Sequence, residues 1–230
     1  MNQDAQQFWT EYYRSVHLQS QGWLDYSNEL VQLQGFALAL EAAGAISGRS
    51  VLDVGCGKGQ FTRLMRDLGA RPAIGMDLIA ETIQQLRTEE PAITWMVGDV
   101  AQSAQLADCQ ACDLVFALEV LQYVPFAPAL EQLWRLVRPG GRLIGLIPNR
   151  DCPIVAKPMA RFKDRYLAVT CAEIAACLAG LPGVASWKLR GLRFAADQSI
   201  APYQVSPWGG ETAWEAPPNR FQFVAIRPSA

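Results

Sequence analysis

Apolar positions in the middle of the chain follow two alternating patterns. Short, largely apolar runs occur at Ser50–Val54, Pro72–Met76, Ile93–Val97, Asp113–Leu118 and Arg142–Ile147. Such runs suit strands covered on both faces. Between them lie stretches with helical spacing. Gln60–Leu68 puts Phe61, Leu64, Met65 and Leu68 on one side, and Ala80–Arg87 does the same with Ile83 and Leu86. Pro125–Val137 reads as a helix opened by proline and stopped before Pro139-Gly140-Gly141. Strands alternating with helices imply parallel pairing through right-handed crossovers, hence an open α/β sheet, doubly wound and mostly parallel.

The flanks are less regular. Gln3–His17 and Asp25–Ala43 read as helices ahead of the sheet. Arg150–Thr170 reads as a long connection with prolines and several basic residues. Thr170–Ala179 reads as a helix with a capping box, Thr170 to Glu173. Ser186–Leu189 and Arg220–Ile226 complete a seven-stranded sheet. The whole, 1–230, reads as one domain: an N-terminal helical cap (1–47), a ligand-binding core (48–150) and an acceptor-side half (151–230).

In an open α/β sheet, ligands sit at the carboxyl ends of the strands, near the switch point. One such end is Asp53-Val54-Gly55-Cys56-Gly57-Lys58-Gly59. Glycine permits a tight turn and lets a ligand approach the main chain, and the following helix offers its N-terminal amides. A dinucleotide fingerprint requires G-x-G-x-x-G, and a P-loop requires Gly, four residues, then Gly-Lys-Ser/Thr. Both fail here, since Gly59 comes one residue early and Leu52 is not glycine. Asp53 would repel a polyphosphate and suits a ligand with an amino group. Two further acids end strands: Asp77, placed to accept from ribose hydroxyls, and Asp99 after Gly98.

Together with Asp113-Leu-Val-Phe-Ala-Leu-Glu-Val-Leu and Arg138-Pro-Gly-Gly-Arg-Leu, these motifs resemble the class I S-adenosylmethionine-dependent methyltransferases, nearest to the small-molecule, quinone-biosynthesis branch. The resemblance covers roughly 48–150 and implies a Rossmann-like sheet with an antiparallel last strand. It also implies S-adenosyl-L-methionine as cofactor. Asp53, with the turn Gly55, Cys56, Gly57 and Gly59, would hold the methionine part. Asp77 would take the ribose, with Leu78 beside the adenine. Asp99 would face the adenine amino group, with Val100 next to it. Ala117 and Leu118 would lie near the sulfonium. Many relatives carry histidine where this chain has Tyr123. Tyrosine is a poor base at neutral pH, so Tyr123 either shapes the pocket or packs on the next helix. His17, the one histidine, is a candidate general base or a surface residue.

Composition narrows the acceptor. Half of the residues are hydrophobic, 18% are charged and the net charge is −2, which disfavours nucleic acid as partner. The six cysteines include one Cys109-x-x-Cys112 pair without partners for a zinc site, so no metal is expected. No apolar run reaches the roughly 18 residues of a membrane span, and Met1–Arg14 does not resemble a signal peptide, so a cytoplasmic location is expected. Arg150, Lys157, Arg161, Lys163 and Arg165 either meet an acidic group or form a solvated face. Phe194, Tyr203, Trp208 and Trp214 either line an apolar pocket or pack on the sheet edge. The expected acceptor is a small, partly apolar molecule, with oxygen ahead of nitrogen or carbon as the methylated atom. The alternatives are an NAD(P)-dependent oxidoreductase and a catalytically silent binding protein.

Overall fold

The computed structural model describes residues 7–14, 29–102, 109–193, 204–209 and 217–229. Helix α1 covers 7–14, followed by α2 (Glu29–Ala43), β1 (Val51–Val54), α3 (Gln60–Asp67), β2 (Ala73–Asp77), α4 (Ala80–Glu89) and β3 (Thr94–Val97). Then come β4 (Cys112–Leu118), α5 (Phe126–Arg135), β5 (Val137–Pro148), α6 (Pro153–Phe162), α7 (Cys171–Ala179), β6 (Ser186–Arg193), β7 (Gln204–Val205) and β8 (Arg220–Ile226).

The strands form one sheet in the order β3-β2-β1-β4-β5-β8-β6-β7. The first five pair in parallel, and β8 runs antiparallel to both β5 and β6. The expected doubly wound sheet with its antiparallel last strand is present, and the two-residue β7 on the edge of β6 makes an eighth strand. The order reverses at β1, which pairs with β2 on one side and β4 on the other. Val54 is level with both Met76 and Ala117, and Asp77 with Val97. The residues that follow all four strands therefore meet at one edge.

Strand β4 shows why the apolar runs lack polar alternation. Leu114 and Phe116 face a cluster with Ala39 and Ala43 of α2 and Phe61 and Met65 of α3. Val115 and Ala117 face the opposite cluster with Leu130 and Leu133 of α5 and Ile174 and Leu178 of α7. Period-two side chains with helices on both faces bury every position from Leu114 to Ala117.

Two boundaries differ from the sequence pattern. Helix α5 ends at Arg135, and β5 begins at Val137 rather than Arg142. Val137 is fully buried and pairs with Cys112, and the register shifts before Leu114 meets Arg142. The Pro139-Gly140-Gly141 bend thus lies inside the strand. The connection after β5 contains α6, with Pro153 in its first turn, where no amide donor is needed, and Pro158 inside it. The Thr170 capping box is present, with Glu173 N donating to Thr170 Oγ1 at 3.2 Å and Thr170 N donating to Glu173 Oε2 at 2.7 Å. Among the described residues, no helix is long and apolar enough to cross a membrane.

Candidate functional site

Three glycines with positive φ build the turn after β1: Gly55 (71°), Gly57 (51°) and Gly59 (73°). The amides of Gly55 and Cys56 donate to Met76 O at 2.8 and 3.0 Å, fastening the turn to the end of β2. The turn is also sterically closed from behind. A β-carbon at Gly55 would stand 2.6 Å from Val120 Cγ2, and one at Gly59 would stand 2.5 Å from Trp95 Cη2. The Trp95 ring also fills the space above Gly75, where a β-carbon would come within 2.4 Å. Cys56, beside this ring, packs in a cluster with Ile83, Leu86 and Trp95. Burial pushes its thiol pKa well up, with the charges of Asp77 and Asp53 adding to the effect.

Carboxylates flank the turn. Asp53 is 3% exposed and accepts from Thr62 Oγ1 at 2.6 Å. Burial raises its pKa to about 7, against the Thr62 hydrogen bond and with help from the Asp77 charge. Asp77 accepts from Gly57 N at 2.8 Å and Ile79 N at 3.0 Å. Each carboxylate oxygen has two lone-pair sites, so both keep capacity for a further donor. Asp99, 2% exposed, accepts from Ala101 N at 2.8 Å and Gln102 Nε2 at 3.3 Å. Leu78 is half-buried beside Asp77, and Val100 is buried next to Asp99. Ala117 has its methyl wholly in the core, whereas Leu118 is half-buried.

The sheet thus brings Asp53, Gly55, Cys56, Gly57, Gly59, Asp77, Leu78, Asp99, Val100, Ala117 and Leu118 to one edge. The set fits a nucleoside that carries an amino acid. It offers bare main chain at the turn, a carboxylate beside it for an ammonium, and a second one for vicinal hydroxyls. His17 lies outside the described residues, as do Phe194, Tyr203 and Trp214.

Tyr123 sits in a 3₁₀ turn, Leu121–Tyr123, after β4. It is packed by an aromatic group that sequence spacing does not announce. Its ring lies 4.5 Å from Trp9, 5.7 Å from Tyr13 and 5.8 Å from Tyr166, between centroids. Its hydroxyl meets that of Tyr13 at 2.5 Å. Trp9 Nε1 donates to Arg165 O at 3.1 Å, while Arg14 pairs with Glu81 in the first turn of α4. Helix α1 therefore runs from the α6 side, past the end of β4, to the segment that follows Asp77.

The remaining candidates disperse. Arg150 pairs with Glu173 at 2.8 Å, Arg161 lies over Phe162 and Arg165 over Phe8. Arg150 and Lys163 line a cleft of about 440 Å³ with Phe126, Met159, Tyr166 and Val169. Trp208 packs at the sheet edge over Lys188 and Arg190 of β6. Cys109 and Cys112 are free thiols directed to Gln110 O. No metal-binding group of His, Cys, Asp or Glu occurs among the described residues.

Comparison with known proteins agrees with this arrangement. A family model described as a methyltransferase domain matches residues 52–145. The chain is 36% identical over 121 residues to a malonyl-[acyl-carrier protein] O-methyltransferase of Pectobacterium atrosepticum, covering 52% of this chain and 46% of that protein. It is 34% identical over 116 residues to a ubiquinone biosynthesis O-methyltransferase of Serratia proteamaculans, covering 49% of this chain and 48% of that one. The chain thus spans under half the length of either curated relative. Magnesium protoporphyrin IX methyltransferase from Synechocystis, solved with bound S-adenosylhomocysteine, shares the fold, with a TM-score of 0.63 at 20% identity over 95% of this chain and 94% of that one. Over residues 52–145, the chain is thus similar to the methyltransferase domain, and its overall fold is that of solved S-adenosylmethionine-dependent methyltransferases.

Proposed function

We propose that this chain transfers the methyl group of S-adenosyl-L-methionine to an oxygen of a small, partly apolar acceptor. The observation that carries this is the glycine turn held between Asp53 and Asp77, with Gly57 N already bonded to the Asp77 carboxylate. Both relatives above are named O-methyltransferases, which favours oxygen over nitrogen.

The cofactor, when bound, supplies a methyl group already activated on a sulfonium. What this chain adds is position and exclusion of water. In the proposed arrangement, Asp53 and the main chain of Gly55, Cys56, Gly57 and Gly59 hold the methionine part. Asp77 holds the ribose, with Leu78 against the adenine. Asp99 takes the adenine amino group, and Val100 lies beside it. Ala117 and Leu118 set the floor below the sulfur. Tyr123, locked by Tyr13 and Trp9, shapes the acceptor side by donating a hydrogen bond rather than acting as a base. His17 remains a candidate base for an acceptor that arrives protonated. The proposal extends to a single domain over 1–230, with 1–47 as cap, 48–150 as cofactor core and 151–230 on the acceptor side. It also takes the cytoplasm as working compartment, in keeping with six free cysteines, and a small molecule rather than nucleic acid as acceptor.

Titration calorimetry with S-adenosylhomocysteine and, separately, with NADH tests the reading. Binding of the former alone is expected. Binding of NADH alone, or of neither, overturns it.

A further inference from the structure

Glu119, the residue that follows β4, has a left-handed backbone with φ 57°. For a residue with a side chain this is strained, because the β-carbon crowds the neighbouring carbonyl. Glycine would make the same turn freely. The main chain of Glu119 is tied on both sides. Its N–H donates to Leu146 O at 2.9 Å, and its carbonyl accepts from Gln122 Nε2 at 2.8 Å. Its carboxylate accepts from Arg220 Nε at 2.5 Å, and the two side chains are only 12% and 15% exposed, respectively.

The sheet order gives the pair its reach. Arg220 opens β8, and β5 lies between β4 and β8. The ion pair therefore crosses the end of β5 and joins the start of β8 to the end of β4. The left-handed turn it holds delivers Val120 onto Gly55, in the space a side chain there would need. Tyr123 follows in the same turn. Strain kept at a side chain with fixed partners points to a role at the site, because a stress-free residue would otherwise serve.

We propose that Glu119 is a positioning residue. Through Arg220 it fixes residues 119–123 so that Val120 closes the glycine turn against the cofactor. The inference rests on the proposed function for the identity of the ligand.

Two variants test it, Glu119→Gly, which relieves the strain and removes the pair, and Glu119→Gln, which removes the charge alone. Melting temperature and S-adenosylhomocysteine affinity are measured on both. Glu119→Gly is expected to melt no lower than the parent yet to bind at least tenfold more weakly, with Glu119→Gln also at least tenfold weaker. Affinities within tenfold of the parent overturn the proposal, as does a loss that merely follows a lower melting temperature. Should the parent itself bind no S-adenosylhomocysteine, the proposed function fails separately, and amide hydrogen exchange decides about Glu119. Exchange at Val120–Tyr123 is then expected to quicken at least tenfold in Glu119→Gly, with Leu114–Phe116 unchanged. Lesser quickening there, or equal quickening in both segments, overturns the proposal.

Discussion

The hydroxyls of Tyr13 and Tyr123, 110 residues apart in sequence, lie 2.5 Å from each other. One donates to the other, so the recipient keeps its own proton for a further partner. Removing either hydroxyl is expected to cost about 1 kcal/mol of stability. Urea unfolding of Tyr13→Phe, Tyr123→Phe and the double variant provides the cycle. The double variant is expected to be no less stable than the weaker single one, giving a coupling of about 1 kcal/mol. Strict additivity would show that the contact carries no energy.

Helix α1 is held by that bond, by Trp9 on Arg165 O and by Arg14 on Glu81. Trp9 is 2% exposed, so Trp9→Ala is expected to cost about 3–5 kcal/mol. Arg14→Ala breaks an ion pair whose side chains are both about half exposed and screened by solvent, and is expected to leave stability nearly unchanged. Thermal unfolding of the two variants checks the order. An equal effect would place the anchoring of α1 elsewhere.

The strand-end edge that gathers the candidate residues was legible because its signals are local. Strand, acid and alternate glycines sit within Asp53–Gly59, Asp77 ends β2, and Asp99 comes two residues after β3. What spacing could not supply is the contacts that close this edge from other elements. Trp95 backs Gly59 and Gly75, Val120 backs Gly55, and Thr62 holds Asp53. The aromatic group around Tyr123 joins three distant stretches, residues 8–13, 123 and 162–166. Helix α6 was hidden by its two prolines, which punctuate a sequence even where the fold tolerates them. The early start of β5 was hidden by its glycine bend. The polar residues of the 150–165 stretch gave no way to choose between a binding and a solvated role.

Gly55→Ala and Gly48→Ala separate strain from collision. Both glycines have φ above 70°, but nothing lies within 4 Å of a β-carbon at Gly48, whereas Val120 would be struck at Gly55. Gly48→Ala is expected to cost about 1–2 kcal/mol, from strain alone, and to leave S-adenosylhomocysteine binding unchanged. Gly55→Ala is expected to cost more and to weaken binding at least tenfold. Calorimetry and thermal unfolding on the same samples give both quantities. Equal behaviour of the two variants would mean that Val120 yields easily.

Asp53 offers a test by pH. Its pKa stands near 7 in the folded protein, above the 3.8 of a solvated aspartate, mainly because burial disfavours the charge. Between pH 4 and 7 the folded state therefore holds a proton that the unfolded chain has lost. The stability contributed by this proton is complete below pH 4 and is lost as pH rises through 7. An ammonium placed against the carboxylate favours the ionised form, so ligand binding expels the proton. The ionised fraction rises about tenfold from pH 6 to 8 for a group with pKa 7, and S-adenosylhomocysteine affinity is expected to rise by a similar factor. Asp53→Asn keeps an acceptor for Thr62 but does not titrate. It is expected to flatten the profile, and to unfold at higher temperature than the parent at pH 8 without ligand, since no buried charge remains. Calorimetry across that range, in two buffers of different ionisation enthalpy, reads affinity and proton release together. A parent protein whose affinity is level from pH 6 to 8, with no proton released, would remove Asp53 from contact with the amino group.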